Sequence, residues 1–223
     1  MSIGHHLSDE WIVDYASGSL SEGWSLVVAT HLALCPSCRR RLDLAERVGG
    51  ELLAQVEPHE SATDHSWEAM RRRLQQPRAN NDSDPAKTAR PAASGVASLP
   101  EPLRSYAGAD IDGLRWRALG RGAYHIRLET GDDTTSVRLL RIPAGKPVPE
   151  HSHSGRELTL VLSGSFADGE DIYARGDIED ADDSVTHQPV ATPDADCICL
   201  AVTEAPLRFK SWLVRIVQPI LGI

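Results

Sequence analysis

The segment Gly145-Lys146-Pro147-Val148-Pro149-Glu150-His151-Ser152-His153-Ser154-Gly155-Arg156-Glu157-Leu158-Thr159-Leu160-Val161-Leu162-Ser163-Gly164 decides the architecture of the C-terminal half. Residues two apart on a strand point the same way, so His151 and His153 would face one pocket. Ser154-Gly155 makes a short turn, and Glu157 would bring a carboxylate to that pocket from the next strand. A third histidine from a later strand would complete a set of three nitrogens and one oxygen. His187, after the acidic segment 177–183, is the natural choice. Such a donor set suits zinc, iron, manganese or nickel, so residue types alone leave the metal open.

Outward from this segment, β-rich runs occur at 116–119, 124–128, 136–142, 158–163, 197–202 and 209–217. Glycines such as Gly113, Gly120, Gly122, Gly131, Gly169 and Gly176 punctuate them. Many short strands with glycine turns predict an all-β barrel or sandwich over 99–223. The acidic residues Asp168, Glu170, Asp171, Asp177, Glu179, Asp180, Asp182 and Asp183 read as a solvated loop face, and their spacing does not follow an EF-hand loop. Cys197 and Cys199 would share one side of a strand. That is a poor arrangement for a mutual disulfide, so they read as buried thiols, with a sensing role open if they border the metal pocket.

The first 76 residues read as helical. Ser8-Asp9-Glu10 offers an N-cap and an acidic first turn for a helix through Trp11, Ile12 and Tyr15, ending near Gly18. Ser21-Glu22 starts a second helix with an apolar stripe of Leu26, Val27, Val28 and Leu32. A third begins at Pro36, since proline is tolerated in a first turn, and runs through Leu42, Leu44, Ala45 and Val48. A fourth covers about 64–74, with Trp67, Met70 and Leu74 on one side. The runs Arg39-Arg40-Arg41 and Arg71-Arg72-Arg73 read as solvated helix faces. Trp11, Trp24, Trp67, Trp116 and Trp212 read as core or interface anchors. Residues 77–98 hold almost no large apolar side chain and cannot offset their ordering entropy, which predicts a flexible linker between domains 1–76 and 99–223.

Within the helical part, His31 and Cys35 are four apart and share a helix face. Cys35-Pro36-Ser37-Cys38 then places two thiolates within reach of one ion. A thioredoxin-type redox pair needs a βαβ setting, which is missing here. Soft sulfur and imidazole ligands suit tetrahedral zinc, and a structural site takes four protein ligands. The fourth is His6, just before the first helix, with the adjacent His5 as the alternative. Thiolates that hold a metal can also be oxidised and release it.

With 32 acidic residues against 23 basic and a net charge of −9, the chain is a poor direct ligand for nucleic acid, whose affinity comes from basic residues on phosphates. A partner with a basic, DNA-facing surface fits better. Four cysteines in 223 residues do not make a disulfide scaffold. No apolar run approaches the roughly 18–20 residues of a membrane span, and the N-terminus lacks the basic and apolar regions of a secretion signal. The expectation is a cytoplasmic protein without a membrane partner.

Two resemblances follow from these motifs. Gly145-x5-His151-x-His153-x3-Glu157-x6-Gly164 resembles the first motif of the cupin superfamily. The second cupin motif is degenerate here, with Gly176-Asp177 and then His187-Gln188-Pro189. His6…His31-x-x-x-Cys35-x-x-Cys38 resembles the zinc-binding anti-sigma domain. The whole sequence, apart from the linker, is similar to the ChrR-type anti-sigma factors, through His5-His6-Leu7-Ser8-Asp9, Ser25-Leu26-Val27-Val28-Ala29-Thr30-His31-Leu32 and Cys197-Ile198-Cys199-Leu200. That family shares the departure in the second cupin motif and uses its histidine.

The resemblance implies an all-α zinc-binding N-terminal domain joined by the linker to an all-β cupin domain, a jelly-roll. It implies zinc on His6, His31, Cys35 and Cys38, and a second divalent metal on His151, His153, Glu157 and His187, with zinc first and manganese or iron as alternatives. It further implies a 1:1 complex with an extracytoplasmic-function (group IV) sigma factor, released in response to singlet oxygen or organic peroxide, and no enzymatic role. The alternative is a metal-dependent cupin oxygenase with an accessory helical domain.

Overall fold

Helix α1, Asp9–Ser17, starts where the sequence offers a cap: the Ser8 hydroxyl accepts from the Trp11 amide, and Gly18 closes the helix at φ 71°. Helix α2 follows as Glu22–Leu34, α3 as Pro36–Ala54 and α4 as Asp64–Gln75. The structure, a computed structural model, describes residues 3–57, 64–75, 98–120, 122–204 and 208–209. Residues 77–97 of the expected linker, Trp212, and positions 210–217 of the last expected strand lie outside the described residues.

After residue 97, a helix that composition does not signal, α5 (Glu101–Ala107), precedes a 3-10 turn at Ile111–Gly113. The strands are β1 (Arg117–Gly120), β2 (Ala123–Leu128), β3 (Ser136–Ile142), β4 (His151–Ser152), β5 (Glu157–Ser163), β6 (Ser165–Asp168), β7 (Asp171–Ala174), β8 (Ile178–Ala181), β9 (Thr186–His187), β10 (Val190–Ala191), β11 (Cys197–Thr203) and β12 (Arg208–Phe209). They form a six-stranded sheet in the order β1-β2-β3-β11-β5-β8 and two three-stranded sheets, β10-β6-β7 and β12-β4-β9. At the β5–β6 turn Gly164 has φ 69°, and a Cβ there would collide with the Asp196 carbonyl. Only glycine meets both demands.

Strand alternation explains the two cores. On one face of the large sheet Val137, Leu139, Leu158, Leu160, Leu162, Leu200 and Val202 join Trp11, Trp24, Leu26, Val27 and Val28 in a single cluster. The opposite face turns Val161, Cys197 and Cys199 toward Phe166 and Ala191. Both faces of β5 and β11 are buried, which is why these strands read as nearly unbroken apolar runs. The helix layer comes so close that a Cβ on Gly23 would meet the Thr135 side chain.

Residues 1–46 and 97–223 therefore make one compact unit, and residues 47–96 a second. This differs from the division at 76/77 and 98/99 that composition suggests. A helix layer lacking enough core of its own gains it from the sheet, at roughly 1.5–3 kcal/mol for each large side chain taken out of water.

The face of α3 that packs inward carries Cys38, Leu42 and Ala45. Leu44, Val48, Leu52 and Leu53 on the same helix are exposed, as are Trp67, Met70 and Leu74 on α4. Among the described residues no helix is long and apolar enough to cross a membrane.

Candidate metal centres

The turn from α2 into α3 builds the first cluster. His31 sits in the last turn of α2, Cys35 caps it, and Cys38 lies in the first turn of α3. His6 arrives from the segment before α1. One donor atom from each of the four lies within 4.8 Å of every other. His31 Nε2 is 3.3 Å from Cys38 Sγ, and His6 Nδ1 is 3.3 Å from Cys35 Sγ and 3.6 Å from Cys38 Sγ. Ligands at about 2.0–2.3 Å from a tetrahedral zinc are spaced by about 3.3–3.8 Å, so the observed separations fit that ion. His5, the alternative ligand, turns elsewhere: its ring packs on Tyr173 with centroids 4.2 Å apart.

The electrostatics also suit a metal. Burial, followed by the neighbouring His6, holds the His31 pKa at about 4, against opposing influences from the Gly176 backbone and Asp177. A neutral imidazole is the form that ligates. Arg41 donates to the Leu7 carbonyl at 2.6 Å and approaches Cys38 Sγ at 3.8 Å. Arg39 donates to the Leu32 carbonyl at 2.6 Å, at the open end of α2. Arg39 and Arg41 of the first arginine run thus brace the site's frame, while Arg40 is exposed.

The second cluster is built by register. Antiparallel β4 and β9 place His151 directly opposite His187, while His153 follows two residues after His151. His187 Nε2 is 3.0 Å from His153 Nε2 and 3.2 Å from His151 Nε2. All three rings are buried. Two of the far nitrogens are fixed from behind: His151 Nδ1 bonds the Pro149 carbonyl at 2.8 Å and His187 Nδ1 bonds Asp168 Oδ2 at 2.7 Å, whereas the buried His153 Nδ1 makes no hydrogen bond among the described residues. Outer partners of this kind set the tautomer that leaves Nε2 free for a metal.

Glu157 enters the same pocket from β5 but does not join the three-nitrogen set. Its Oε2 lies 3.5 Å from His153 Nδ1, on the other side of that ring, and Oε1 accepts from Thr159 at 2.9 Å. Burial raises its pKa to about 7. Burial also holds His151 and His153 at about 4. His187 is different: burial pushes it down, but Glu179 and Asp168 outweigh that and raise it to about 9.

Residues 105–206 match the family described as the ChrR cupin-like domain. Over the full length, the chain is 45% identical across 226 residues to anti-sigma-E factor ChrR of Cereibacter sphaeroides, covering 100% of both sequences. The chain belongs to the ChrR family of anti-sigma factors. The crystal structure of Rhodobacter sphaeroides SigE in complex with the anti-sigma ChrR agrees: it matches at a TM-score of 0.75 and 43% identity, over 91% of this chain and 99% of that one. Helices followed by a cupin-like β part are therefore the family's architecture.

Within this ChrR-family chain, the sequence reading missed two carboxylates of the second cluster. The charge pattern puts Asp168 and Glu179 on a solvated face, yet both contact His187 Nδ1, at 2.7 and 3.6 Å. Glu179 and Asp177 are buried. The missed signal is alternation in Ile178-Glu179-Asp180-Ala181, where only every second residue could face solvent. Cys197 and Cys199 are free and buried with sulfurs 3.4 Å apart. Cys197, burial and the nearby Glu179 and Glu157 push the Cys199 thiol well up.

Proposed function

We propose that the chain holds an extracytoplasmic-function sigma factor in a 1:1 complex through its zinc-bound N-terminal part and lets it go when singlet oxygen or an organic hydroperoxide acts at the barrel pocket. The sigma-holding part is residues 1–76 and the sensing part residues 99–223, with 77–98 between them. Zinc is held by His6, His31, Cys35 and Cys38. It supplies a cross-link that fixes the α2–α3 turn and the preceding arm together. In the barrel, the four residues His151, His153, Glu157 and His187 hold a divalent ion, zinc first and manganese or iron as alternatives, the three nitrogens as ligands and Glu157 either as the fourth or as the outer partner of His153. The setting is the cytoplasm, where RNA polymerase works, without direct contact to nucleic acid or membrane.

The observation that carries this reading is the apolar surface left exposed on α3 and α4. Leu44, Val48 and Leu52 recur at four-residue spacing, and Leu52 is 61% exposed. Trp67, at 59%, adds a large aromatic of the kind enriched in binding hot spots. A surface of this kind marks an interaction site, and the acidic net charge of −9 favours a partner with a basic, DNA-facing surface.

The test co-expresses the full chain with its cognate sigma factor. The wild type is expected to co-purify at 1:1 with zinc and to silence transcription from a sigma-dependent promoter. Cys35→Ser and Cys38→Ser lose both zinc and silencing. Leu52→Asp keeps the zinc and the fold but loses silencing. Full silencing by Leu52→Asp together with Trp67→Asp would sink the assigned surface, and silencing by a zinc-free chain would sink the role of the metal.

A further inference from the structure

One short corner of the barrel touches residues beside the first cluster and, through the strand that follows, His187 of the second. After β7 the chain turns through Arg175, Gly176 and Asp177 into β8. Asp177 is buried, and its Oδ1 accepts from the Gly4 amide at 2.7 Å and the His5 amide at 2.9 Å. Its Oδ2 accepts from the Ala174 amide at 2.8 Å, which locks the corner itself. The Ile178 amide donates back to the His5 carbonyl at 3.4 Å. Gly176, at φ 93°, leaves the space of its absent Cβ to Ile3, whose Cδ1 would stand 2.6 Å from it. Residues 3–5 are stitched to the corner in this way, and the next residue is the exposed zinc-ligand candidate His6.

The same strand reaches the other cluster. Two residues beyond Asp177, Glu179 sends Oε1 to within 3.6 Å of His187 Nδ1. Asp180 turns to the helix side and accepts from Trp11 Nε1 at 2.7 Å, so α1 is anchored to β8 as well. Pairing of Ile178 with Leu160 and Glu179 with Thr159 holds the strand between them. Asp177 is a durable anchor: burial pushes its pKa up, but the amides of His5, Ala174 and Gly4 outweigh this and keep it below the ordinary carboxylate range.

We infer that residues 176–179 couple the two centres: Asp177 is a positioning residue that holds His6 in the N-terminal donor set, Glu179 sets His187, and a disturbance at His187 reaches His6 through this segment. The inference rests on the reading of His6, His31, Cys35 and Cys38 as a zinc site. It gives the barrel a physical route to that site: packed and hydrogen-bonded elements that both clusters bias.

The test uses the full chain loaded with zinc, challenged with a chelator and iodoacetamide. Labelling of Cys35 and Cys38 is followed by peptide mass spectrometry. Zinc shields these two thiols, and slow labelling of Cys197 and Cys199 reports an intact barrel. Asp177→Asn is expected to label Cys35 and Cys38 about tenfold faster, the lower end of what outer-partner changes do to metal affinity. A chain lacking residues 1–4 should do the same without touching the barrel. Glu179→Gln should accelerate labelling a few-fold alone and add nothing in the Asp177→Asn background, as residues on one route do in a double-mutant cycle. Wild-type rates in Asp177→Asn and in the truncated chain overturn the positioning role. An inert Glu179→Gln, or strict additivity of the pair, overturns the coupling. A wild-type chain whose Cys35 and Cys38 take up no zinc overturns the metal reading and the inference with it.

Discussion

The N-terminal cluster and the barrel cluster each gather their donors from distant positions, but by different means. Helix spacing and a sharp α2–α3 turn make the first, and its donors are two thiols and two imidazoles at tetrahedral spacing. Strand register makes the second, with three imidazole nitrogens 3.0–3.2 Å apart along His153–His187–His151 and carboxylates standing behind two of the rings. A closed sulfur-rich set is the arrangement of a structural cross-link. A nitrogen face backed by carboxylates leaves positions open, as a site that meets small molecules requires. The difference suits the proposed division of labour, a structural cross-link at the first cluster and an open site at the second.

The largest expected effect breaks the first half of that comparison. Structural zinc contributes about 10–16 kcal/mol of apparent binding free energy in small domains. Cys38→Ser, at a site that is 0% exposed, should therefore abolish zinc at the N-terminal cluster and leave the α2–α3 turn frayed, while the barrel still takes up metal. Metal analysis with amide exchange over residues 6–38 checks this. Loss of both metals together would mean that the two sites are not separable in kind.

A middle-sized effect addresses how independent the two regions are. Leu200 is fully buried on the sheet face that meets the helices. Leu200→Ala should destabilise the protein by about 2–5 kcal/mol and keep one cooperative transition, because Trp11 and Trp24 share that core. Denaturant unfolding followed by tryptophan fluorescence and by circular dichroism should give coincident curves. Curves that separate would restore the picture of two self-sufficient domains that composition suggests.

That picture shows where sequence reading reaches and where it stops. Caps such as Ser8 and Gly18, the four-residue step from His31 to Cys35, and the apolar runs of β3, β5 and β11 are local signals, and each element stands where they place it. The strands β6 to β10 are short, and β6 to β8 carry charge, as in Asp171-Ile172-Tyr173-Ala174, so that only pairing with neighbours makes them strands. The docking of α2 on the sheet depends on Gly23 meeting Thr135, more than a hundred positions away in sequence, which no periodicity reports. The same holds for the sites: ligand types at fixed spacing were legible, whereas Asp168, Asp177 and Glu179 looked like solvated charge because their partners are brought from elsewhere in the chain.

The smallest of the three effects sharpens the second half of the comparison. The spacing of the sequence makes Glu157 a fourth ligand, whereas its carboxylate stands 3.5 Å from His153 Nδ1, behind the ring. An outer partner orients the imidazole and raises its basicity, and its loss weakens metal affinity by about 10–100-fold. Glu157→Gln keeps the shape and removes the charge, so its barrel metal should bind within that range, measured by competition with a chromophoric chelator. His187→Ala, which removes one of the three nitrogens, should abolish binding over the same range of metal. If Glu157→Gln fell as far as His187→Ala, the carboxylate would belong to the ligand set, and the barrel site would be a closed four-donor site like the N-terminal one.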